Sequence, residues 1–443
     1  MSATNPMLVQ TVPPPTNADE GLRLFAAIQR IIDAAPGDAT GTPRTPLLVG
    51  SPKVFSARAS AAANTESGRA LLQGAALIVP TSGTTTNSAY LVVLDAAALR
   101  FAADQTHNAL SGPGSWVIAL PLAHIAGIQM LVRCAVAGTK PVFPKSWPSF
   151  DPALFASAIR AAKDPASKES ATKESATPAL PQPLYASLVS AQLGAILRAG
   201  PEVTASVAQL DAVLVGGGRI DPDLLSAARA VGIRAHTTYG MTETCGGCVY
   251  DGKPLPGTDI VIAPTDTPTD ATEKQSGRIL LGTGSLMRGY LDQPSPFESV
   301  AERRYFRTSD LGYLDDQGLH VTGRVDEIIK SGGVKVHLGA VARAIETDPH
   351  VQEAHCLGKE DPVWGQSVAA IIVPTTPDLD EEAVATLAWS IRQTVKNLLG
   401  PTYMPRTVVA VCALPRTGLS KPHTGRLRTI LEDAIRSGVA WQR

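Results

Sequence analysis

Four short segments carry residue types that could handle a nucleotide and an acid. Thr81-Ser82-Gly83-Thr84-Thr85-Thr86-Asn87-Ser88 sets hydroxyl side chains around one glycine. Such a loop is rich in donors, and its main-chain N–H groups can turn toward phosphate oxygens. It is not a Walker loop, because the Gly-Lys-Ser/Thr ending is absent. Thr238-Tyr239-Gly240-Met241-Thr242-Glu243-Thr244 places an aromatic ring, a glycine, a hydroxyl and a carboxylate close together. That set could stack a base, approach a phosphate and hold Mg2+, which prefers carboxylate and phosphate oxygens. Phe306-Arg307-Thr308-Ser309-Asp310-Leu311-Gly312 supplies an Asp suited to the paired hydroxyls of a ribose. Arg324 follows in Val321-Thr322-Gly323-Arg324-Val325-Asp326-Glu327 and could reach the same diol or a phosphate. Leu414-Pro415-Arg416-Thr417-Gly418-Leu419-Ser420-Lys421 puts a lysine on a Gly/Ser loop, where it could bring positive charge to a reacting phosphate. Singly, each segment has a plain structural counterpart: a polar surface loop, a strand-end turn, charged turns between strands, a solvated lysine.

The elements that must position these segments alternate between strand and helix signals. Residues 75–80 form a short apolar run that ends where the first loop begins, which reads as a strand. Residues 90–94 read as the next strand, with Asp95 as N-cap of an Ala-rich helix. Residues 116–120 are strand-like and lead into an apolar helix over 125–137. Residues 210–215 form a strand ending at Gly216-Gly217-Gly218, and Asp221-Pro222 then opens a helix over 223–231. Residues 233–237 read as the strand before the Tyr239 segment. The alternation implies an α/β architecture with largely parallel sheets. Near residue 323 the pattern restarts, with strands over 351–357, 368–373 and 408–414 and helices over 340–347, 381–399 and 427–437, enough for a small independent domain. Residues 1–18 are Pro-rich and read as a flexible arm. Residues 163–178 contain KESAT twice, with almost no apolar content, and read as a solvated loop without chemistry.

Bulk properties narrow the function classes. A chain of 443 residues exceeds one ordinary core. With 44% hydrophobic and 18% charged residues and a mean hydropathy of +0.06, the composition is globular. Lys plus Arg is 39 against 40 Asp plus Glu, so neither nucleic acid nor an anionic membrane is expected as the main partner. The five cysteines are odd in number and scattered, which does not suggest a disulfide framework. Cys245-Gly-Gly-Cys248 has CxxC spacing, but no second pair or His cluster accompanies it, so inert thiols in a Gly-rich turn are expected rather than a zinc or redox site. No signal peptide or membrane-spanning run is read, and a cytoplasmic location is expected.

In this order and spacing the four segments resemble the motifs of the adenylate-forming superfamily of acyl-CoA ligases, luciferases and peptide-synthetase adenylation domains. The resemblance covers roughly residues 70–430. The first loop looks like its phosphate loop, YGMTE like its Tyr-Gly-x-Thr-Glu motif, TSDLGYLDDQG like its ribose-binding motif, GRVDEIIKSGG like its hinge motif and LPRTGLSK like its catalytic-lysine loop. It implies a large multi-sheet N-terminal domain over 1–322, a hinge over 323–327 and a small mobile α/β domain over 328–443. It further implies ATP, Mg2+ and CoA as cofactor and co-substrates and a small carboxylic acid as partner. Thr81, Ser82, Gly83, Thr84 and Thr85 would surround the ATP phosphates. Gly217, Gly218 and Gly240 would let backbone approach the nucleotide, and Tyr239 would stack on adenine. Thr242 would meet the α-phosphate, Glu243 would ligate Mg2+, Asp310 would bind the ribose with Arg324 nearby, and Lys421 would bridge α-phosphate and acyl carboxylate. Asp326 falls at the hinge position, about which the small domain of the family swings. That swing would present the face near Lys330, Gly332 and Gly333 to the CoA pantetheine.

Two departures stand out: Thr86 and Ser88-Ala89 stand where the phosphate loop usually has Gly and Pro-Lys, and Ser420 replaces the Gly before Lys421. The first predicts a raised ATP KM or slower adenylation, and the second leaves Arg426 in Gly425-Arg426 as a competing cation. Within the superfamily, residues 119–138, 187–197, 210–218 and 237–257 look like o-succinylbenzoate–CoA ligases of menaquinone synthesis. Arg133 lies in the apolar run 125–137, where an unpaired guanidinium is costly; it either pairs with an internal carboxylate or meets an acidic substrate. His124 is either an acyl-pocket wall or structural. An enzyme that loads a carrier protein, and a nucleotide-binding homologue without catalysis, remain the alternatives.

Overall fold

The computed structural model describes residues 9–34, 45–50, 52–81, 89–164, 182–265, 276–291, 293–377, 379–416 and 421–443, the backbone alone at 52–54. The described chain divides into two compact units. The first runs to Asp259 and regains Gly282–Phe306; the second holds Ile260–Leu281 and Arg307–Arg443.

The first unit is built on two sheets separated and flanked by helices. One sheet is ordered Gln10–Val12, Leu47–Val49, Ala75–Pro80, Leu91–Asp95, Gly289–Tyr290. The other is ordered Ser115–Val117, Leu184–Val189, Ala212–Gly216, Ala235–Met241, Gly246–Tyr250, Lys253–Pro254. Its first four strands are mutually parallel and the last two turn antiparallel. Between the sheets lie the helices Ala18–Asp33, Ala96–Ala109 and Ile125–Ala137, and one core joins Leu77 and Val92 to Trp116 and Leu214 through Ile28, Leu99 and Leu131. The helices Pro152–Lys163, Ser190–Arg198 and Pro201–Val207 cover the outer face of the second sheet with Phe155, Leu193 and Val207. Ala59 and Leu72 cover that of the first.

Local signals explain these elements. Asp95 accepts a hydrogen bond from the Ala98 N–H at 2.8 Å, the cap that starts Ala96–Ala109. Asp221 caps Pro222–Ala230 in the same way, with Pro222 in its first turn. Ile125–Ala137 is buried on nearly every side and so is apolar all round, ending at Gly138 in a left-handed conformation.

In the second unit, Ile328–Ser331 and Val334–His337 form a hairpin joined by Gly332 and Gly333. Both glycines have positive φ, 57° and 81°, as a two-residue hairpin turn requires. The sheet continues from Ile328–Ser331 to Gly365–Pro374, Thr407–Ala410 and Trp441–Gln442, with Val351–Asp361 also paired to Gly365–Pro374. Ala370 and Ile372 face the helices Leu338–Glu346 and Glu381–Leu399, while Ala369 and Ile371 face Thr424–Ser437. Alternation along a strand buried on both faces accounts for its continuous apolar run.

Several expectations change. Part of the Pro-rich start is ordered: Gln10–Val12 pairs in parallel with Leu47–Val49, and Asn17 caps the first helix by accepting the Glu20 N–H. The strand expected over 116–120 is Ser115–Val117, and the one expected over 408–414 stops at Ala410. Of the loop expected over 163–178, Lys163 closes a helix and its ammonium pairs with Asp211 at 2.7 Å. Residues 165–181 lie outside the described set. Among the described residues no helix is long and apolar enough to cross a membrane.

Candidate active site

In the first unit, the candidate residues gather at the C-terminal edge of parallel strands, where open α/β sheets bind ligands. Ala212–Gly216 and Ala235–Met241 lie side by side, with Val215 opposite Thr237. The first strand therefore delivers Gly217 and Gly218, both exposed, beside the point where the second delivers Thr238 and Tyr239. Thr238 Oγ1 donates to the Val215 carbonyl at 3.3 Å and ties the two ends together. Beyond Tyr239 the strand pairs with Gly246–Tyr250 so closely that a Cβ on Gly240 would lie 2.0 Å from the Gly246 carbonyl oxygen. Glycine at 240 is thus imposed by the returning strand.

A one-turn helix, Thr242–Thr244, follows. Thr244 Oγ1 accepts the Met241 N–H at 3.0 Å and donates to the Gly246 carbonyl at 2.7 Å, which fixes the turn that aims Glu243. Glu243 is buried, and its Oε1 accepts the Tyr290 hydroxyl at 2.7 Å. Among the described residues no group of three or more His, Cys, Asp or Glu could cage a metal. One oriented carboxylate fits Mg2+, which binds through one or two carboxylates together with substrate phosphates.

The phosphate-loop residues Ser82, Gly83, Thr84 and Thr85 lie outside the described residues, but the foot of that loop does not. Thr81 N–H donates to the Tyr90 carbonyl at 2.9 Å, and Tyr90 N–H donates to Thr81 Oγ1 at 2.9 Å. The Tyr90 ring lies 5.0 Å from the Tyr290 ring, which links the loop foot to the partner of Glu243. Arg58 donates to the Ala89 carbonyl at 2.8 Å, bringing a cation to the loop foot from a distant helix. Sequence reasoning missed Tyr290 and Arg58, since neither lies in a motif and both arrive through pairing across more than 30 residues.

Behind the Thr242–Thr244 turn lies a buried polar layer. Arg133 is 4% exposed, its guanidinium carbon 4.5 Å from the Trp116 ring centroid. Its Nη2 donates to the Tyr250 hydroxyl at 3.4 Å, and that hydroxyl is 2.9 Å from Thr106 Oγ1. No carboxylate pairs with Arg133 among the described residues, so the internal-carboxylate expectation fails. Burial lowers its pKa. Burial, then the Arg133 charge, pushes His107 down to about 4. His124 stands at the N-cap of Ile125–Ala137, half-buried, without a side-chain cap bond. The thiols of Cys245 and Cys248 are free and buried, and burial pushes Cys248 up to about 12 and Cys245 well above its ordinary value. Both are inert.

In the second unit, Asp310 sits opposite Arg324 on a hairpin and accepts Arg324 Nη1 at 2.9 Å. Arg324 also donates through Nε and Nη2 to Asp326, both at 2.8 Å. Burial opposes its charge, but Asp326 and Asp310 outweigh burial and raise its pKa. Burial raises Glu327 against the pull of Arg324. Asp326 thus lies in a one-turn helix, Val325–Glu327, clamped to Asp310 through the Arg324 guanidinium. Lys330 is exposed on the strand leading to Gly332 and Gly333. Lys421 is half-buried beside the Arg416–Pro422 bridge that closes its loop; Thr417–Ser420 lie outside the described residues. Arg426 is exposed in the first turn of Thr424–Ser437, its N–H donating to His423 Nδ1 at 3.3 Å.

Residues 33–291 match the family model of the AMP-binding enzyme, and residues 340–421 match that of the AMP-binding enzyme C-terminal domain. A probable 2-succinylbenzoate–CoA ligase of Mycobacterium tuberculosis (strain H37Rv) is 38% identical over 349 residues, covering 78% of this chain and 82% of that protein. A 2-succinylbenzoate–CoA ligase of Enterococcus faecalis is 28% identical over 344 residues, covering 75% and 64%. The structure of o-succinylbenzoate CoA synthetase from Bacillus subtilis with its acyl-adenylate intermediate aligns with a TM-score of 0.63 at 22% identity, covering 96% of this chain and 89% of that one. That structural likeness establishes a common fold.

Proposed function

The chain belongs to the AMP-binding enzyme family, and from that premise we propose that it is an adenylate-forming acid–CoA ligase whose acid is o-succinylbenzoate. The observation that carries the choice of acid is Arg133, a buried guanidinium with no carboxylate partner among the described residues. A substrate with two carboxylates can leave one there while the other reacts. An acyl pocket for fatty chains would have no use for that charge, which is costly to bury unpaired. The 38% identity to a probable ligase for this acid supports the same choice.

In the first half-reaction a carboxylate oxygen of the acid attacks the α-phosphorus of ATP, the bond to the bridging oxygen breaks, and pyrophosphate leaves. Tyr239 stacks on adenine beside Gly217 and Gly218, and Gly240 keeps the backbone close to the phosphates. The Thr242 hydroxyl meets the α-phosphate. Glu243, held by Tyr290, is the carboxylate for Mg2+, which when bound neutralises phosphate oxygens. Asp310 and Arg324 serve the ribose. Lys421 supplies positive charge as negative charge builds on the α-phosphate. It is preferred over Arg426 because Arg426 belongs to a helical first turn, where the helix dipole disfavours a cation. In the second half-reaction the CoA thiol, losing its proton, attacks the acyl carbonyl and AMP leaves. The turn at Gly332 and Gly333 beside Lys330 receives the pantetheine arm, and Asp326 marks the pivot.

Acid-dependent ATP–pyrophosphate exchange over a panel of acids, followed by thioester formation with CoA, tests this reading. Exchange should be far faster with o-succinylbenzoate than with benzoate, acetate or hexanoate. Comparable rates with hexanoate would refute the acid, and thioester formation on a carrier protein but not on CoA would refute the acceptor.

A further inference from the structure

The buried layer around Arg133 contains a second unsatisfied group. Gln129 is 1% exposed, and neither its amide nitrogen nor its amide oxygen has a hydrogen-bond partner among the described residues. A buried amide without partners is costly and calls for an explanation. Gln129 and Arg133 are four residues apart on Ile125–Ala137 and so share one helix face. A Cβ on Gly246 would meet Gln129 Cγ at 3.4 Å, which sets the glutamine stem against the backbone just after the Thr242–Thr244 turn. Arg133 Nε and Trp116 Nε1 are also buried without acceptors among the described residues. The layer therefore holds unpaired N–H donors on Gln129, Arg133 and Trp116 and one positive charge, beside a single unpaired acceptor on these three side chains, Gln129 Oε1. No carboxylate of the described chain answers it. Its complement is a group with several acceptor oxygens and a negative charge.

We propose that Gln129 is a specificity-determining residue that holds, together with Arg133, the carboxylate of the acid that does not react. Gln129 Nε2 donates one N–H to a carboxylate oxygen and Arg133 donates another, so the unreacting end is gripped by one neutral and one charged donor. This rests on the dicarboxylic acid proposed above. Such a site rejects a monocarboxylate by leaving its own donors unpaired, the mode of discrimination that reaches the largest ratios.

The test compares kcat/KM for o-succinylbenzoate with that for whichever monocarboxylate analogue is turned over, 4-oxo-4-phenylbutanoate or 2-butyrylbenzoate. Gln129→Met, which keeps length and loses the amide, should lower kcat/KM for o-succinylbenzoate about 10- to 100-fold, chiefly through KM. The monocarboxylate should change no more than about threefold, so the discrimination ratio collapses. Gln129→Asn keeps the amide on a shorter stem and should give an intermediate ratio; it carries the test if Gln129→Met does not fold. Equal losses on both acids, or none on either, would overturn the inference and leave Gln129 as a solvating group of the core. A ratio that collapses in Arg133→Met but persists in both Gln129 variants overturns the role of Gln129 alone. A wild-type enzyme that does not distinguish the two acids overturns the dicarboxylate reading, and this inference with it.

Discussion

Lys421 and Arg426 lie five residues apart and compete for one role, and the backbone around them differs more than their charges. Lys421 ends a loop pinched by the Arg416–Pro422 bridge, whereas Arg426 is fixed in a capped helical turn. Lys421→Ala should reduce ATP–pyrophosphate exchange about 10²–10³-fold, as loss of one charge-stabilising contact does. Thioester formation from supplied acyl-adenylate should survive, and equal loss in both half-reactions would remove Lys421 from the first. Tyr290 makes a second residue-scale claim. Its hydroxyl orients Glu243, and a hydrogen bond to a charged group contributes roughly 1.5–3 kcal/mol. Tyr290→Phe should raise the Mg2+ concentration for half-maximal exchange by about tenfold; an unchanged Mg2+ titration would show that the hydroxyl serves packing only. Motif residues such as Tyr239, Glu243 and Asp310 announce themselves by type and spacing. Tyr290 and Arg58 do not, because what matters in each is a partner 47 or 31 positions away.

Elements are most legible in the sequence where one physical signal dominates. Ala75–Pro80, Ile125–Ala137 and Glu381–Leu399 have the bounds that apolar runs and caps indicate. The edge strand Gln10–Val12 is not legible, since a Pro-flanked segment becomes a strand only because Leu47–Val49 offers it an edge. Gly289–Tyr290 is two residues long and owes its existence to pairing with Leu91–Asp95, a non-local contact that no local pattern reports. Asp95 and Asp221 act at this scale by starting helices, and neither need touch a ligand. The strand pair around the Thr242–Thr244 turn makes the sharpest element-scale prediction. Gly240→Ala would drive a Cβ to 2.0 Å from a backbone oxygen, an overlap that must part the strands. A loss of at least about 2 kcal/mol of stability is expected, with exchange activity falling alongside it. Unaltered melting temperature and activity in the Gly240→Ala variant would show that the strands part without cost.

Over the whole molecule, each unit hides a histidine that resists protonation: His107 in the first, pushed by burial from 6.5 to about 4, and His355 in the second, also lowered by burial. The unfolded chain takes up these protons near pH 6.5 and the folded chain does so only at lower pH. Stability is therefore fully present above about pH 6.5 and is lost as pH falls toward 4, by roughly 3 kcal/mol at most from His107. Asp211 and Asp251 have pKa values held below 3.8, despite burial, by Lys163 and His236 among others, so their losses begin at lower pH. Thermal unfolding at about pH 6.5 and about pH 4.5 should show the drop, and a His107→Gln, His355→Gln chain should flatten it. A flat wild-type profile would remove both histidines from the account. The distribution of thiols has a practical consequence of a different kind. Four of the five cysteines are buried and free, and Cys412 alone is exposed, between the strand Thr407–Ala410 and the loop that ends at Lys421. A maleimide dye added to the native protein should attach once per chain, and five times in denaturant, by mass spectrometry. The protein therefore carries one thiol on the smaller unit that a fluorophore can address in the native state without altering a residue.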